Sequence, residues 1–333
     1  MKMDAVSREQ AGARWLAAMR AGDWPAAWRE TDAMEADRRA GRVPRDEHHL
    51  FWDGTPPDGR TVLVRCEHGL GDTLQFLRFI PVLERRARRL HFMVQPPFVA
   101  LLRGAPGLGQ VHDGWLGPDW PAHEVEIEVM ELAYALRATA QALPPPYPHL
   151  AEQARRLATV TVPDDGRLRV GLLWAASEWD GSRSIPWPCF EPLLALPGVR
   201  CFSLQQGPAA GQATIEPLHR RTTTLEAAAA AMLQMDLVIS IDGMPAHLAA
   251  SLGRPTWLLL KHEADWRWMA QRADSPWYPT MRLFRQPAPA DWRGLVRQVA
   301  QEAALLARAL ASSSAGVRPT CTPGPWRRPR SAG

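Results

Sequence analysis

Short β-branched segments alternate with amphipathic helical segments along this chain, and the alternation starts twice. The first series begins with the strand-like run at residues 61–66, and the second begins at residues 170–174. Strands that alternate with helices form parallel sheets with helices on both faces. Pro144, Pro145 and Pro146 separate the two series, because consecutive prolines fit neither a helix interior nor a central strand. The chain is therefore predicted to form two doubly wound α/β units facing a cleft, where ligands bind beyond the carboxyl ends of the strands.

The length of 333 residues is enough for two such domains and additional segments. We expect a helical hairpin over residues 1–50, a first Rossmann-like domain over 51–160, a second over 165–311 and a disordered basic tail over 312–333. The spacing of Leu16, Gly22 and Ala27 in the hairpin resembles a single tetratricopeptide repeat. One such hairpin cannot bury its own apolar face, so it should pack on the neighbouring domain.

The net charge of +4 lies in the tail, where four arginines occur without an acid and leave 35 basic and 35 acidic residues elsewhere. This balance argues against nucleic acid as a partner. No apolar run is long enough to span a membrane, so at most peripheral membrane contact through the tail is expected. The N-terminus lacks the apolar region of a signal peptide, and the four cysteines are far apart, which predicts a cytoplasmic protein.

A glycine-containing loop follows the first strand. His68, Gly69, Gly71 and Asp72 lie between that strand and the next helix. Two glycines allow a ligand to approach the backbone at the start of the helix. Asp72 could be a general base in the cleft, or it could simply cap the helix. The residues alone leave both interpretations open.

A second loop of the same kind follows a strand near residue 241. Asp242 and His247 lie five residues apart at the start of a helix, where both could face one ligand, and the free N–H groups suit a diphosphate. The alternative is a capping aspartate beside an ordinary core or surface histidine. Further candidates follow two other predicted strands. Among them, the planar guanidinium of Arg183 is suited to phosphate.

Six motifs come in order along the chain and together resemble one family. They are FWDG at 51–54, HGLGDTLQF at 68–76, RSIP at 183–186, SLQQGP at 203–208, DGMPAHLA at 242–249, and DWRW with SPWYP at 265–279. The chain resembles, from about residue 10 to about residue 305, the bacterial tetratricopeptide-linked glycosyltransferases. These are related to the ADP-heptose:lipopolysaccharide heptosyltransferases of glycosyltransferase family 9.

The resemblance implies a GT-B fold, with an acceptor site in the first domain and a nucleotide-sugar site in the second. It implies metal-independent, inverting sugar transfer without a cofactor, and a final helix that returns to the first domain. Asp72 matches the general base, and His68, Gly69 and Gly71 match the acceptor or phosphate loop. The implied donor-binding residues are Arg183, Gln205, Gln206, Asp242, Gly243, Met244 and His247.

The chain departs from the family at two donor positions. Gly243 stands where the family has threonine, and Gln206 stands where lysine is common. A hydroxyl and a cation are thereby lost from the expected phosphate site. Lys261, which follows another strand, could replace the cation, although a solvated loop lysine is the alternative. Trp266 could stack on a sugar or base, or could supply core area.

Two classes of function remain after these observations. The first is an inverting glycosyltransferase whose acceptor, as a glycan, lipid-linked molecule or protein, is unknown. The second is a non-catalytic scaffold or binding protein with a degenerate donor site, which the two departures favour. A nicotinamide-dependent oxidoreductase is disfavoured, because no G-x-G-x-x-G with a trailing acidic residue follows the first strand.

Overall fold

The computed structural model describes residues 5–40, 51–114, 120–176 and 178–312. Its strands are β1 (Thr61–Arg65), β2 (Arg89–Val94), β3 (Gln110–Asp113), β4 (Val125–Glu128), β5 (Leu168–Leu173), β6 (Val199–Ser203), β7 (Leu237–Ile241), β8 (Thr256–Leu260) and β9 (Met281–Arg285). Its helices are α1 (Ala5–Ala21), α2 (Trp24–Arg39), α3 (Leu70–Phe76), α4 (Ile80–Glu84), α5 (Pro96–Leu102), α6 (Leu132–Ala135), α7 (Leu150–Leu157), α8 (Glu191–Leu194), α9 (Leu225–Met232), α10 (Met244–Ser251) and α11 (Trp292–Ser312).

The strands form two separate parallel sheets, which confirms the predicted α/β class. The first sheet has the order β3-β2-β1-β4, and the second has the order β6-β5-β7-β8-β9. We call the two sheets with their helices the first half and the second half. In each sheet the order reverses beside its first strand, between β1 and β4 and between β5 and β7. Crevices for ligands form beyond the strand ends at such reversals.

The strands β7 and β8 inside the second sheet are buried on both faces, which explains their apolar runs. All five residues of β7 and all five of β8 are buried. Alternate side chains enter different cores: Leu258 packs in a core shared with the first half, and Leu259 packs in a core under α11. One apolar core therefore joins the two halves, and a second belongs to the second half alone.

The predicted helical hairpin consists of α1 and α2, joined at Gly22, whose φ is +79°. Its apolar face contacts both halves. Trp28 Nε1 donates a hydrogen bond of 2.7 Å to the carbonyl of Ala138 in the first half. The ring of Trp24 lies 4.8 Å from that of Trp277 in the second half. The hairpin therefore packs across the junction between the halves.

The prediction that the final helix crosses to the first half is wrong. Leu295 and Val299 of α11 are fully buried in the core of the second half, and Leu306 packs against the same core. Arg282 of β9 forms a salt bridge of 2.9 Å with Glu302 on the helix. The helix stays with the second sheet because that face of the sheet would otherwise be uncovered. Within the described residues, α7 on α9 and α3 on α10 connect the halves instead.

Three strands and two helices escaped the sequence pattern. The strands β3 and β4 and the helix α6 have only four residues each, and arginines interrupt the apolar residues of β9. The helix α7 lies in the segment predicted to join the two domains. The basic tail over 313–333 lies outside the described residues. Within the described part of the chain, every helix is too short or too polar to cross a membrane.

Candidate functional site

A polar cavity of about 260 Å³ lies at the carboxyl edge of the second sheet, at the reversal between β5 and β7. Loops after β5, β7 and β8 form most of its wall, and α1 closes one side. Its charged lining consists of Arg20, Arg183, Lys261, Asp180, Asp242, Glu263 and Asp265. Both signs of charge are present, so the cavity can hold an anionic group and accept hydrogen bonds from hydroxyl groups.

Arg183 lies in this cavity, where the sequence placed a phosphate contact. Its Nη1 donates a hydrogen bond of 3.0 Å to the backbone carbonyl of Asp242. Its Nε lies 3.5 Å from Oδ2 of Asp180. These contacts hold the guanidinium between the loops after β5 and β7, with about a fifth of the side chain exposed (21%).

Lys261, the second cation predicted from the sequence, also lies in the cavity. Its Nζ lies 2.9 Å from Oδ2 of Asp180 and 3.0 Å from Oγ of Ser182. The Ser182 hydroxyl and the Lys261 ammonium lower the pKa of Asp180 to about 2. Lys261 is therefore ion-paired at the cavity wall, with 34% of its side chain exposed to solvent.

Asp242 faces the same cavity from the end of β7. Burial raises the pKa of its carboxyl above the ordinary value, although the nearby Arg183 acts in the opposite direction. Gly243 follows in extended backbone with φ 170°, and α10 begins at Met244. Neither Gly243 nor Met244 lines the cavity. A Cβ on Gly243 would meet only the ring of Pro245, at 3.8 Å, so packing does not require glycine here.

His247, a predicted donor contact, does not line the cavity. Its side chain is buried between the halves, with Nδ1 2.9 Å from Oη of Tyr278 and its ring beside Trp268. A Cβ on Gly71 would lie only 3.0 Å from its Cδ2. Burial lowers the pKa of His247 to about 3, so the ring is neutral near pH 7. The described arrangement matches the alternative of a core histidine.

Three other predicted residues also make internal contacts outside the cavity lining. Gln205 Oε1 accepts hydrogen bonds from the backbone N–H of Trp174 and of Ala175, at 3.0 and 2.9 Å. Gln206 Nε2 donates to the carbonyl of Thr222, at 2.8 Å. Trp266 stacks edge-on against Trp15 of the hairpin, at 5.3 Å, and its indole is partly buried.

Asp72 lies in the first turn of α3 and makes two contacts, and it is not part of the cavity lining. Its Oδ2 accepts a hydrogen bond from the backbone N–H of Gly69, at 3.1 Å, which is a capping contact. Its Oδ1 accepts one from Arg267 Nη2 of the second half, at 2.8 Å. Arg267 also donates to Oδ1 of Asp265 at the cavity wall, at 2.9 Å. Arg267 therefore links the glycine loop to the cavity.

His68 contacts an acidic residue that the sequence did not single out. Its Nδ1 lies 2.9 Å from Oε1 of Glu128, which ends β4 and is fully buried. Gln95 Nε2 donates to the carbonyl of His68, at 2.9 Å, and fixes the backbone. The interaction with Glu128 raises the pKa of His68. This pair lies at the strand-order reversal of the first sheet.

The cavity thus brings together three predicted residues, Arg183, Asp242 and Lys261, and adds others that sequence reasoning missed. Asp180 lies three residues before the motif that begins at Arg183, and Asp265 lies within the DWRW motif, so both could have been found. Arg20 carries no local signal, because only the packing of α1 brings it to the second sheet. Across the described ranges, no group of three or more His, Cys, Asp or Glu side chains is arranged to hold a metal ion.

Among known proteins, one relative aligns with most of the chain. The chain is 26% identical over 285 residues to protein FlbA of Caulobacter vibrioides, which covers 75% of this chain and 47% of FlbA. The chain therefore spans about half the length of this relative. No protein-family model matches the chain.

Solved structures of similar fold include two heptosyltransferases from E. coli. WaaC with ADP-2-deoxy-2-fluoro heptose has a TM-score of 0.50 and 15% identity, covering 73% of this chain and 99% of WaaC. ADP-heptose lps heptosyltransferase II has a TM-score of 0.50 and 12% identity, covering 75% of this chain and 98% of the other. The chain therefore shares an α/β fold of parallel sheets with these two heptosyltransferases.

Proposed function

We propose that this protein is a glycosyltransferase that moves a sugar from a nucleotide-sugar donor to an acceptor hydroxyl. The observation that carries the proposal is the cavity at the strand-order reversal of the second sheet, lined by Arg183 and Lys261. In this proposal the two halves form a GT-B arrangement, with the donor bound in the second half and the acceptor in the first. The fold likeness to WaaC, which was solved with ADP-2-deoxy-2-fluoro heptose, agrees with it.

The donor diphosphate contacts Arg183 and Lys261. Both cations already touch Asp180, so they are held in place and lose little freedom when a phosphate arrives. They neutralise the charge that builds up as the sugar–diphosphate bond breaks. Asp242 and Glu263 line the same cavity and accept hydrogen bonds from sugar or ribose hydroxyls.

Asp72 is the proposed general base. The acceptor oxygen attacks the anomeric carbon opposite the departing diphosphate and loses its proton to the Asp72 carboxylate. The new carbon–oxygen bond forms while the bond to the diphosphate breaks, so the configuration inverts. Arg267 orients this carboxylate by holding its Oδ1, and 22% of the Asp72 side chain remains exposed to receive the acceptor.

The second candidate is a scaffold or binding protein with a degenerate donor site. Three observations favour it. His247 is buried away from the cavity, Gln206 is used to hold the loop at Thr222, and Gly243 supplies no hydroxyl. In this case the protein would bind neither nucleotide-sugars nor nucleoside diphosphates.

A panel of nucleotide-sugars and nucleoside diphosphates distinguishes the glycosyltransferase from the scaffold protein. Binding is measured first by the melting temperature and then by calorimetry. A ligand that binds only the folded protein raises its melting temperature. Arg183→Ala should abolish the shift, whereas Arg297→Ala, which removes an exposed arginine on α11, should preserve it. If no member of the panel binds the wild type, the transferase proposal fails.

A further inference from the structure

One wall of the cavity comes from neither sheet. Arg20, in the last turn of α1, reaches the carboxyl edge of the second sheet and lines the cavity beside Arg183 and Lys261. We propose that Arg20 is an anion-binding residue, through which the N-terminal hairpin completes the site by contacting a phosphate of the ligand. That the ligand is a nucleotide-sugar rests on the proposed function; the anion contact itself follows from the cavity.

Several contacts fix the backbone of Arg20 relative to the cavity. The backbone N–H of Ala270 in the second half donates to the carbonyl of Arg20, at 3.1 Å. The preceding residue, Met19, is buried with 1% exposure. A Cβ on Gly22 would touch the Met269 sulfur at 3.4 Å, so the turn lies directly on this segment. Arg20 is therefore presented from a fixed position.

The charges in the cavity leave Arg20 available to a ligand. Lys261 is paired with Asp180, at 2.9 Å, and Arg183 is bonded to a backbone carbonyl. Asp265 also lines the cavity, and it is paired at 2.9 Å with Arg267, which does not line it. Arg20, by contrast, has no acidic partner among the described residues, and its side chain is exposed. Its guanidinium can therefore give its full set of donors to an anion.

A phosphate contact from Arg20 would make the hairpin part of the binding site. The proposed function alone requires only Arg183 and Lys261, which both belong to the second half. With Arg20 included, a diphosphate is held from two sides of the cavity, by α1 and by the loops after β5 and β8. Ligand binding should then depend on a residue that precedes both sheets in sequence.

The test measures dissociation constants by calorimetry for ADP, GDP, UDP and inorganic pyrophosphate, using the full chain. Arg20→Ala should weaken the best of these at least about tenfold, the expected worth of a charge-assisted hydrogen bond. Arg20→Lys should retain part of the affinity because it keeps the charge. Arg29→Ala, an exposed arginine of α2 outside the cavity, should bind like the wild type. Equal melting temperatures would show that the variants are folded.

The outcomes separate the two proposals. Binding by Arg20→Ala within about twofold of the wild type, while Arg183→Ala loses it, overturns the role of Arg20 and leaves the proposed function standing. Arg20-dependent binding of pyrophosphate, without binding of ADP, GDP, UDP or any nucleotide-sugar of the melting-temperature panel, supports the anion contact and overturns the transferase. A wild type that binds none of the four probes overturns both.

Discussion

Asp72 and Arg267 form an ion pair across the two halves, with Oδ1 of the first 2.8 Å from Nη2 of the second. Arg267 is largely buried, with 13% of its side chain exposed, and it also holds Asp265. Burial lowers the pKa of Arg267, but the carboxylates of Asp265 and Asp72 outweigh this and raise it. The proposed base and the cavity are thus connected through one charged side chain.

The role of Asp72 can be tested with Asp72→Asn, which keeps the size but removes the basic oxygen. Turnover should fall about a hundredfold or more, the usual worth of a positioned base, while donor affinity should hardly change. Steady-state kinetics and calorimetry measure the two effects. Asp58→Asn, which loses an exposed pair with Arg86, serves as the control. Activity of Asp72→Asn within a few-fold of wild type would assign the base elsewhere, with His68 the next candidate.

Gly243, which stands where the resembled family has threonine, can be replaced with threonine. Its backbone is extended, and a Cβ would meet its nearest neighbour, the Pro245 ring, at 3.8 Å, so Gly243→Thr should fold with an unchanged melting temperature. The added hydroxyl should tighten binding of a nucleoside diphosphate, as measured by calorimetry, if the donor site is in use. Unchanged affinity would show that residue 243 does not contact the bound ligand.

Gly71, unlike Gly243, should not tolerate an added side chain. A Cβ there would lie 3.0 Å from His247 and 3.4 Å from Cα of Met244, across the junction between the halves. Gly71→Ala should therefore lower the free energy of unfolding by about 1–3 kcal/mol, the usual effect of overpacking. Denaturant titration measures this, with Gly12→Ala, where a Cβ meets nothing within 4 Å, as the control. Equal stability of both variants would contradict the close contact.

His247 should make the folded protein sensitive to acid. Its pKa is about 3 when folded and 6.5 ordinarily, so between these values the unfolded chain binds a proton that the folded chain does not. Stability should therefore fall as pH drops below about 6.5, by up to about 1.4 kcal/mol per pH unit from this group. Unfolding curves from pH 7 to 4 should show a shallower decline in His247→Gln. Parallel declines would mean that His247 is not held neutral.

His68 should behave in the opposite way. Its pKa is raised by Glu128, so its stabilising interaction is complete below the ordinary value of 6.5 and is lost as pH rises through the raised value. Glu128→Gln should lower the pKa of His68, which histidine NMR signals measure directly. The pKa of His219 in the second half, which burial lowers, should not respond. An unchanged pKa of His68 would show that the two side chains do not interact.

The local sequence pattern was enough to predict most strands and the class of fold. Apolar runs identified most of β5, β7 and β8, since strands covered on both faces have few polar positions. The loops that follow β1 and β7 could also be placed near ligand crevices, because the carboxyl ends of parallel strands meet at one edge of a sheet. The segments that follow β5 and β7 hold Arg183 and Asp242, and the sequence therefore predicts both residues near a crevice.

Tertiary packing decided which of these candidate side chains face the cavity. His247 and Asp242 share one motif, yet Gly71 and Tyr278 bury the histidine while the aspartate faces the cavity. Packing also kept α11 on its own sheet and brought Arg20 to the second half. The sequence by itself determined where strands end, because hydrophobic periodicity is local. Burial and charge pairing depend on segments far apart in the chain, so only the folded structure decided which candidate residues line the cavity.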